Sequence, residues 1–403
     1  MPKNIVILFD GTSNGITSER TNVLRLYGVL EKSERQVVWY DPGVGTFGAD
    51  NAWSRTWRKA VEVWGLATGW GLDQNVKEAY RFLVENYSED AAEQKDRVFV
   101  FGFSRGAYTA RVLAGFLHNF GLVAPENLNL VDYAYRAYKR IGENPREEAF
   151  AETRLYERIL RPTRPAIRLL GLFDTVASVI ESGRFGPRLR SHASTSKNPS
   201  VQSIVHAVAI DERRTMFRPL LWPGGKDWQP NPFAGDKAAP QDVREVWFAG
   251  HHCDVGGGYR EADSSLCKVP LEWMVEQATS CGLLVKARSV KQVVKGEGDS
   301  GEHVAPDPLS KTRGSMRGLW PLVEFLPRRL PSGSRRASIL GFTLPLFERR
   351  AVPEGAVLHR SVIERREATG YWPPNLSADH IEWKGDIPSE RDAVPGDLNR
   401  GQR

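Results

Sequence analysis

Residues 102–106 read Gly-Phe-Ser-Arg-Gly, a Gly-x-Ser-x-Gly pentapeptide directly after the apolar run Arg97–Phe101 and directly before the helix-like stretch Ala107–Leu117. A serine at a sharp strand-to-helix turn projects its hydroxyl out of the sheet, and the flanking glycines let the backbone turn and a substrate approach. The following helix would aim its first N–H groups and positive dipole end at an oxyanion formed there. Ser104 is therefore the candidate nucleophile for acyl transfer. The pentapeptide alone is common; a strand before it and a helix after it make it specific.

A serine nucleophile needs a base and an acid to orient that base. His118 lies on the helix after the serine and His206 in the run Val201–Arg213, read as helical; both are expected to be structural. His303 and His380 fall in polar stretches suited to a surface. His252 stands at a strand end two residues from Asp254, among glycines, and His359 follows the apolar segment Gly355–Leu358. Two assignments remain open. In one, His359 takes the proton of Ser104 and Asp254 orients the imidazole. In the other, His252 is the base and Asp174, from an intervening strand, is the acid. A Ser104–Asp254 dyad without histidine is a third arrangement. The backbone N–H of Arg105 is the expected first oxyanion donor, with Gly11 or Thr12 supplying the second.

Asp10-Gly11-Thr12 also raises the phosphoaspartate chemistry of haloacid dehalogenase-type phosphatases, but Leu8 occupies the position of the nucleophilic aspartate. Asp10, Asp41, His252 and Asp254 form another alternative, a carboxylate and imidazole set able to hold a divalent metal for phosphoester hydrolysis. The serine reading requires no metal and no cofactor.

These groups must be positioned by a scaffold, and the chain alternates strand and helix signals. Asn4–Phe9, Gln36–Tyr40, Arg97–Phe101, Ile167–Phe173 and Val243–Phe248 are apolar runs that read as buried strands. Asn22–Leu30 has helical spacing, with Val23, Leu26, Tyr27 and Leu30 on one face, and Asp73 caps a helix carrying Val76, Ala79, Tyr80, Leu83 and Val84. Each strand ends at a small or acidic residue. The pattern predicts an α/β fold of α/β-hydrolase type, three layers with a mostly parallel central sheet. Ligands bind at the carboxyl ends of such strands, where Asp10, Asp41, Ser104, Asp174, His252 and Asp254 all fall. Segments 177–200 and 213–242, in the stretch 177–242, and segment 285–350 read as cap insertions. Residues 1–366 are expected to form one catalytic domain and 367–403 a C-terminal extension, flexible after 388.

With 403 residues, 41% apolar and 26% charged, the chain has the composition of a globular protein with ample core. No stretch approaches the roughly 20 apolar residues of a membrane span, and the first strand begins at once, which predicts a cytoplasmic protein unless a signal-independent system exports it. Cys253, Cys267 and Cys281 lack metal-ligand spacing and suit reduced thiols. A net charge of +6 does not suggest nucleic acid. From Lys286 to Arg350, however, 13 Lys and Arg stand against 6 Asp and Glu, interleaved with Trp320, Phe325, Phe342 and Phe347. Such a mixture suits peripheral contact with an anionic membrane surface, although Pro321, Pro327, Pro331 and Pro345 block a long amphipathic helix. A surface of solvated arginines is the plainer alternative.

Taken in order, the motifs resemble one family. They are Leu8-Phe9-Asp10-Gly11-Thr12, Tyr40-Asp41-Pro42-Gly43-Val44-Gly45-Thr46, Gly102–Arg111, Phe173-Asp174-Thr175-Val176, His206–Arg213, Trp247–Tyr259 and His359-Arg360-Ser361-Val362. The sequence is similar to the α/β-hydrolase domain family that contains the first class of type VI secretion phospholipase effectors, the Tle1-like catalytic domain. The resemblance covers about residues 4–366. It implies an α/β-hydrolase fold and serine-dependent cleavage of fatty acyl esters of phospholipids, with Ser104 as nucleophile and His252 as the family-like histidine beside an additional His251. The expected substrate is a lipid or small ester. An immunity or chaperone partner is not identified by the sequence, and a non-catalytic binding protein on the same fold is the alternative of a different class.

Overall fold

Eight strands of the computed structural model form one sheet, and all seven of its pairings are parallel. In chain order they are β1 (Asn4–Phe9), β2 (Gln36–Asp41), β3 (Arg97–Phe103), β4 (Ile167–Phe173), β5 (Val201–Ala209), β6 (Asp242–Phe248), β7 (Ala356–Leu358) and β8 (His380–Glu382). Their spatial order is β8-β7-β6-β5-β4-β3-β1-β2. The structure describes residues 2–11, 18–43, 70–89, 95–143, 147–176, 180–183, 186–189, 192–229, 237–298, 301–316, 320–325, 328–329, 342–344 and 347–383. Thr12 and the tail after 388 lie outside them.

The inner strands are largely apolar because both faces of the sheet are covered, whereas the edge strand β8 is mostly exposed. On β1, Ile5, Ile7 and Phe9 pack with helices α2 (Trp70–Asn86), α3 (Arg105–Phe120) and α4 (Val131–Glu143), while Val6 and Leu8 face the opposite layer. That layer holds α1 (Asn22–Val29) and a long helix spanning Ser265–Ser280. A third cluster joins Val208, Trp247, Leu358 and Val362 at the far end. Helix layers on both sides of a parallel sheet make the three-layer α/β architecture.

The β1–α1–β2 connection runs one way along the sheet and the β3–α3–β4 connection the other, with their helices on opposite faces, as crossovers of one hand require. The sheet therefore reverses its winding between β1 and β3. This is the switch point where a crevice opens at the carboxyl ends of the strands. Asp10 follows β1 there, and Ser104 follows β3.

Three expectations are corrected. Val201–Ala209, read as helical, is a central strand: Ile204, Val205, Ala207 and Val208 are all fully buried between β4 and β6, and a short apolar run carries no periodicity that separates the two states. The stretch 177–242 is consequently not one insertion, since β5 divides it. Residues 287–294, assigned to a cap, instead turn beneath α1, with Val294 fully buried in the core. Among the described residues, no helix is long and apolar enough to cross a membrane.

Candidate active site

The turn after β3 is built by close packing. A Cβ on Gly102 would stand 2.4 Å from the Gly106 carbonyl oxygen, and a Cβ on Gly106 would stand 2.3 Å from the Phe9 carbonyl oxygen. Only glycine fits at either position. Between them Ser104 adopts φ 59° and ψ −120°, a conformation that costs a non-glycine residue about 1–3 kcal/mol. Neighbouring hydrogen bonds hold it: the Ser104 N–H donates to the Phe173 carbonyl at 3.0 Å, and the Ser104 carbonyl accepts from Tyr108 and Val176 at 3.3 Å each. The Val176 bond ties the nucleophile turn to the loop carrying Asp174.

The hydroxyl of Ser104 lies 2.8 Å from Nε2 of His252, and Nδ1 of His252 lies 2.5 Å from Oδ2 of Asp174. Hydroxyl, imidazole and carboxylate thus form one hydrogen-bonded relay across the ends of β3, β4 and β6. His252 begins a short helix, His252–Gly256, four residues beyond the end of β6, so its side chain can reach back across the sheet. Its ring is held between Phe103, at 4.7 Å between centroids, and Phe217, edge-on at 4.8 Å. Burial lowers its proton affinity below that of free imidazole, against the pull of Asp174. A neutral imidazole in this position can take the hydroxyl proton as the oxygen attacks.

Asp174 is fully buried, and burial would raise its pKa. The Arg350 guanidinium and the His252 hydrogen bond outweigh that and hold the carboxyl well below the usual range. Ala209 N–H also donates to Oδ1, at 2.9 Å. Behind the histidine, Glu212 accepts from the His252 N–H at 3.3 Å and from Nε and Nη2 of Arg214 at 2.9 and 2.7 Å. Despite burial, Arg214 holds the Glu212 carboxyl down at about 2. Arg214 in turn covers the Phe217 ring at 3.8 Å, and Phe217 packs edge-on against Trp320 at 5.5 Å. Segments 214–217 and 320–324 thereby form the wall over His252.

The other sequence candidates lie elsewhere. His359 caps the helix Arg360–Thr369, its Nδ1 accepting from the Ser361 N–H and lying 2.8 Å from the Ser361 hydroxyl, and its ring stacks on Phe248. It follows β7 with no spacer, and β7 is the fourth strand from β3, about 19 Å away at ~4.8 Å per strand. Asp254 is taken by His251 Nδ1 at 2.7 Å and the Tyr259 hydroxyl at 3.0 Å. The arrangements that join Ser104 to His359 or Asp254 are therefore not the ones the fold brings together. The metal-binding alternative is likewise dispersed. Asp10 accepts from Gly11 N–H, the Thr21 hydroxyl and the Tyr40 hydroxyl, while Asp41, raised by burial to about 6, accepts from Gly43 N–H.

The helical bonds of α3 begin with Tyr108 N–H to Ser104, so the amides of residues 105–107 stand ahead of them at the positive end of the helix dipole. The Arg105 N–H stands at that helix end, next to Ser104. The Gly11 N–H instead donates to Oδ1 of Asp10 at 2.6 Å. Sequence reasoning missed Arg350 and Glu212. Glu212 lies in the quoted run His206–Arg213, but Arg350 carries no local signal, standing 176 residues from the aspartate it binds.

The sequence model of the family described as T6SS, phospholipase effector Tle1-like, catalytic domain, matches residues 3–277. Ser104, Asp174 and His252 fall within the match; Arg350 and His359 lie beyond it. An uncharacterised protein of Saccharomyces cerevisiae is 33% identical over 232 residues, 55% of this chain and 33% of that protein. Two solved structures are similar at 19% identity. One is an uncharacterised protein from Pseudomonas aeruginosa, TM-score 0.42, covering 71% of this chain and 46% of that one. The other is the Tle1 effector bound to the VgrG spike of the type VI secretion system, TM-score 0.35, covering 66% and 53%. The chain spans about a third of the yeast protein and about half of each structural neighbour.

Proposed function

The chain belongs to the Tle1-like phospholipase effector catalytic-domain family, and from that membership we propose that it is a serine hydrolase cleaving acyl esters of phospholipids. The observation that carries the reading is the relay of Ser104 Oγ, His252 and Asp174, at 2.8 and 2.5 Å, on a nucleophile turn with positive φ.

His252 takes the proton of Ser104 as Oγ bonds to the ester carbonyl carbon, and the oxyanion forms beside the Arg105 N–H. Collapse breaks the ester C–O bond, and His252 returns the proton to the departing alcohol. His252 then deprotonates water, which attacks the acyl–Ser104 carbonyl carbon; the bond from that carbon to Oγ breaks, His252 returns the proton to Oγ, and a carboxylic acid leaves. Asp174 holds the imidazole in the tautomer that presents Nε2 to the serine.

The lipid substrate reaches this site from a surface, and the described part of segment 285–350 has features suited to one. Phe325 and Leu344 are exposed, and Phe325 packs edge-on against Phe347. Arg349 is exposed close by in the chain, and the exposed Arg213 and Arg218 reach the segment through the Phe347 carbonyl at 3.3 Å and Glu348 at 3.4 Å. We assign this side of the cap to peripheral contact with anionic membrane.

The test pairs wild type with Ser104→Ala. A fluorophosphonate probe should label only the wild type, and release of fatty acid from phospholipid vesicles should vanish in the variant. Fatty-acid release that persists in Ser104→Ala overturns the reading.

A further inference from the structure

Arg350 lies in the segment whose arginines the sequence places at the surface, yet it is buried and its guanidinium enters the relay. Nη1 donates to Asp174 Oδ1 at 2.6 Å and to the Ala209 carbonyl at 2.9 Å; Nη2 donates to Asp174 Oδ2 at 2.8 Å and to the Phe217 carbonyl at 2.5 Å. The fork thus grips both carboxylate oxygens, the end of β5 and the residue whose ring packs on His252. Its own backbone is fixed by Asn375, whose Nδ2 donates to the Arg350 and Ile210 carbonyls at 3.1 Å each.

We propose that Arg350 is a positioning residue of the relay, fixing the Asp174 carboxylate for His252 and offsetting its charge so that His252 stays an unprotonated base into mildly acidic solution. The proposal rests on the serine-hydrolase reading above. A bidentate guanidinium fixes a carboxylate in one plane, which an ammonium does not. A buried anion beside an imidazole favours the imidazolium, and a cation on the far side of that anion weakens the effect.

The charged groups facing His252 come from two directions. Asp174, from the end of β4, and Arg350 stand on the Nδ1 side. Glu212 and Arg214, from the segment after β5, pair with each other on the backbone side. Phe103 and Phe217 close the ring faces. Because the Glu212–Arg214 pair is internally balanced, removing Arg350 leaves Asp174 without its cation.

The experiment follows the rate of fluorophosphonate labelling against pH, from about 4 to about 8, in full-length wild type, Ser104→Ala, Arg350→Lys and Arg350→Met, with thermal melting to check folding. In Arg350→Met the acid limb should move up by about one pH unit, because His252 becomes more basic. In Arg350→Lys the charge survives and the fork does not, so the limb should stay while the plateau rate falls about tenfold. A folded Arg350→Met variant with the wild-type acid limb overturns the proposal. If that variant does not fold, Arg350→Lys decides: a tenfold slower plateau with the limb in place supports it, and wild-type labelling overturns it. Equal labelling of wild type and Ser104→Ala, or none of either, overturns the serine reading itself and this proposal with it.

Discussion

Gly106 and Phe9 touch backbone to backbone: a single methyl group on Gly106 would lie 2.3 Å from the Phe9 carbonyl oxygen. The end of β1 therefore presses directly on the first turn of α3, and the switch point of the sheet and the nucleophile turn are one packed unit. Gly106→Ala must push that turn away from β1. Overpacking of this kind costs about 1–3 kcal/mol, and here the displaced atoms include the backbone that aims Ser104. Urea unfolding should show a lower midpoint with unchanged slope, and ester hydrolysis should fall more than tenfold even where the variant is fully folded. An alanine variant with wild-type turnover would show that the turn tolerates a side chain there.

The two histidine assignments left open by the sequence make opposite predictions. His252 reaches Ser104, whereas His359 caps a helix. His252→Ala should lower turnover by between about a hundredfold and ten-thousandfold, the range for loss of a positioned base. His359→Ala should leave turnover within a few-fold of wild type and lower stability by about 1 kcal/mol, the ordinary value of an N-cap. Steady-state rates and melting temperatures of both variants check this. Activity lost with His359 rather than His252 would reverse the assignment.

Legibility followed locality. The strand, turn and helix around Ser104 are written in neighbouring residues, and the apolar runs of β1, β3 and β4 are visible because a strand buried on both faces reads as a continuous run. The choice between His252 and His359 was not local. Each follows an apolar segment, and only strand order shows that β7 is one strand further from β3 and that His252 has a spacer to cross the distance. The segment around His206 reads as helix because β5 is a short run, eight of its nine residues buried, that fits helix and strand alike. Arg350 was invisible for the same reason: nothing around residue 350 records that its partner is Asp174. The engagement of the Gly11 N–H by Asp10 is likewise a matter of side-chain placement that the run Asp10-Gly11-Thr12 does not determine.

The wall over His252 is fastened by one buried carboxylate. Glu324 accepts from the Thr215 N–H at 3.0 Å and from the Thr215 hydroxyl at 2.6 Å, joining segment 214–217 to segment 320–324. Thr215→Val keeps the shape of the side chain and removes the hydroxyl donor. The carboxylate oxygen it leaves is fully buried, a loss on the order of 1–3 kcal/mol. Because both segments lie outside the sheet, that loss should appear as local opening. Limited proteolysis should cut Thr215→Val faster than wild type between residues 213 and 325, and the Michaelis constant for vesicles should change more than turnover. Identical proteolysis would show that Glu324 does not hold the wall.

Acid should unfold the protein in two stages. His359 is buried and His118 half-buried, and desolvation depresses them to about 3 and about 4; His252 is lowered in the same direction. A histidine depressed in the folded state binds fewer protons there than in the unfolded chain, so its stabilising effect is present above about 6.5 and is lost as pH falls toward the folded value. Glu212, held at about 2 by Arg214, behaves the same way at lower pH: its effect is complete above about 4.5 and disappears as pH falls to about 2. Its share is on the order of 3 kcal/mol. Urea unfolding should therefore show stability falling from about pH 6.5 downward and falling again below about pH 4.5. Glu212→Gln should weaken the second stage, to which the depressed carboxyl of Asp174 also contributes, and leave the first. A stability profile flat between about pH 7 and about pH 4 would show that the histidines are not buried in their neutral form.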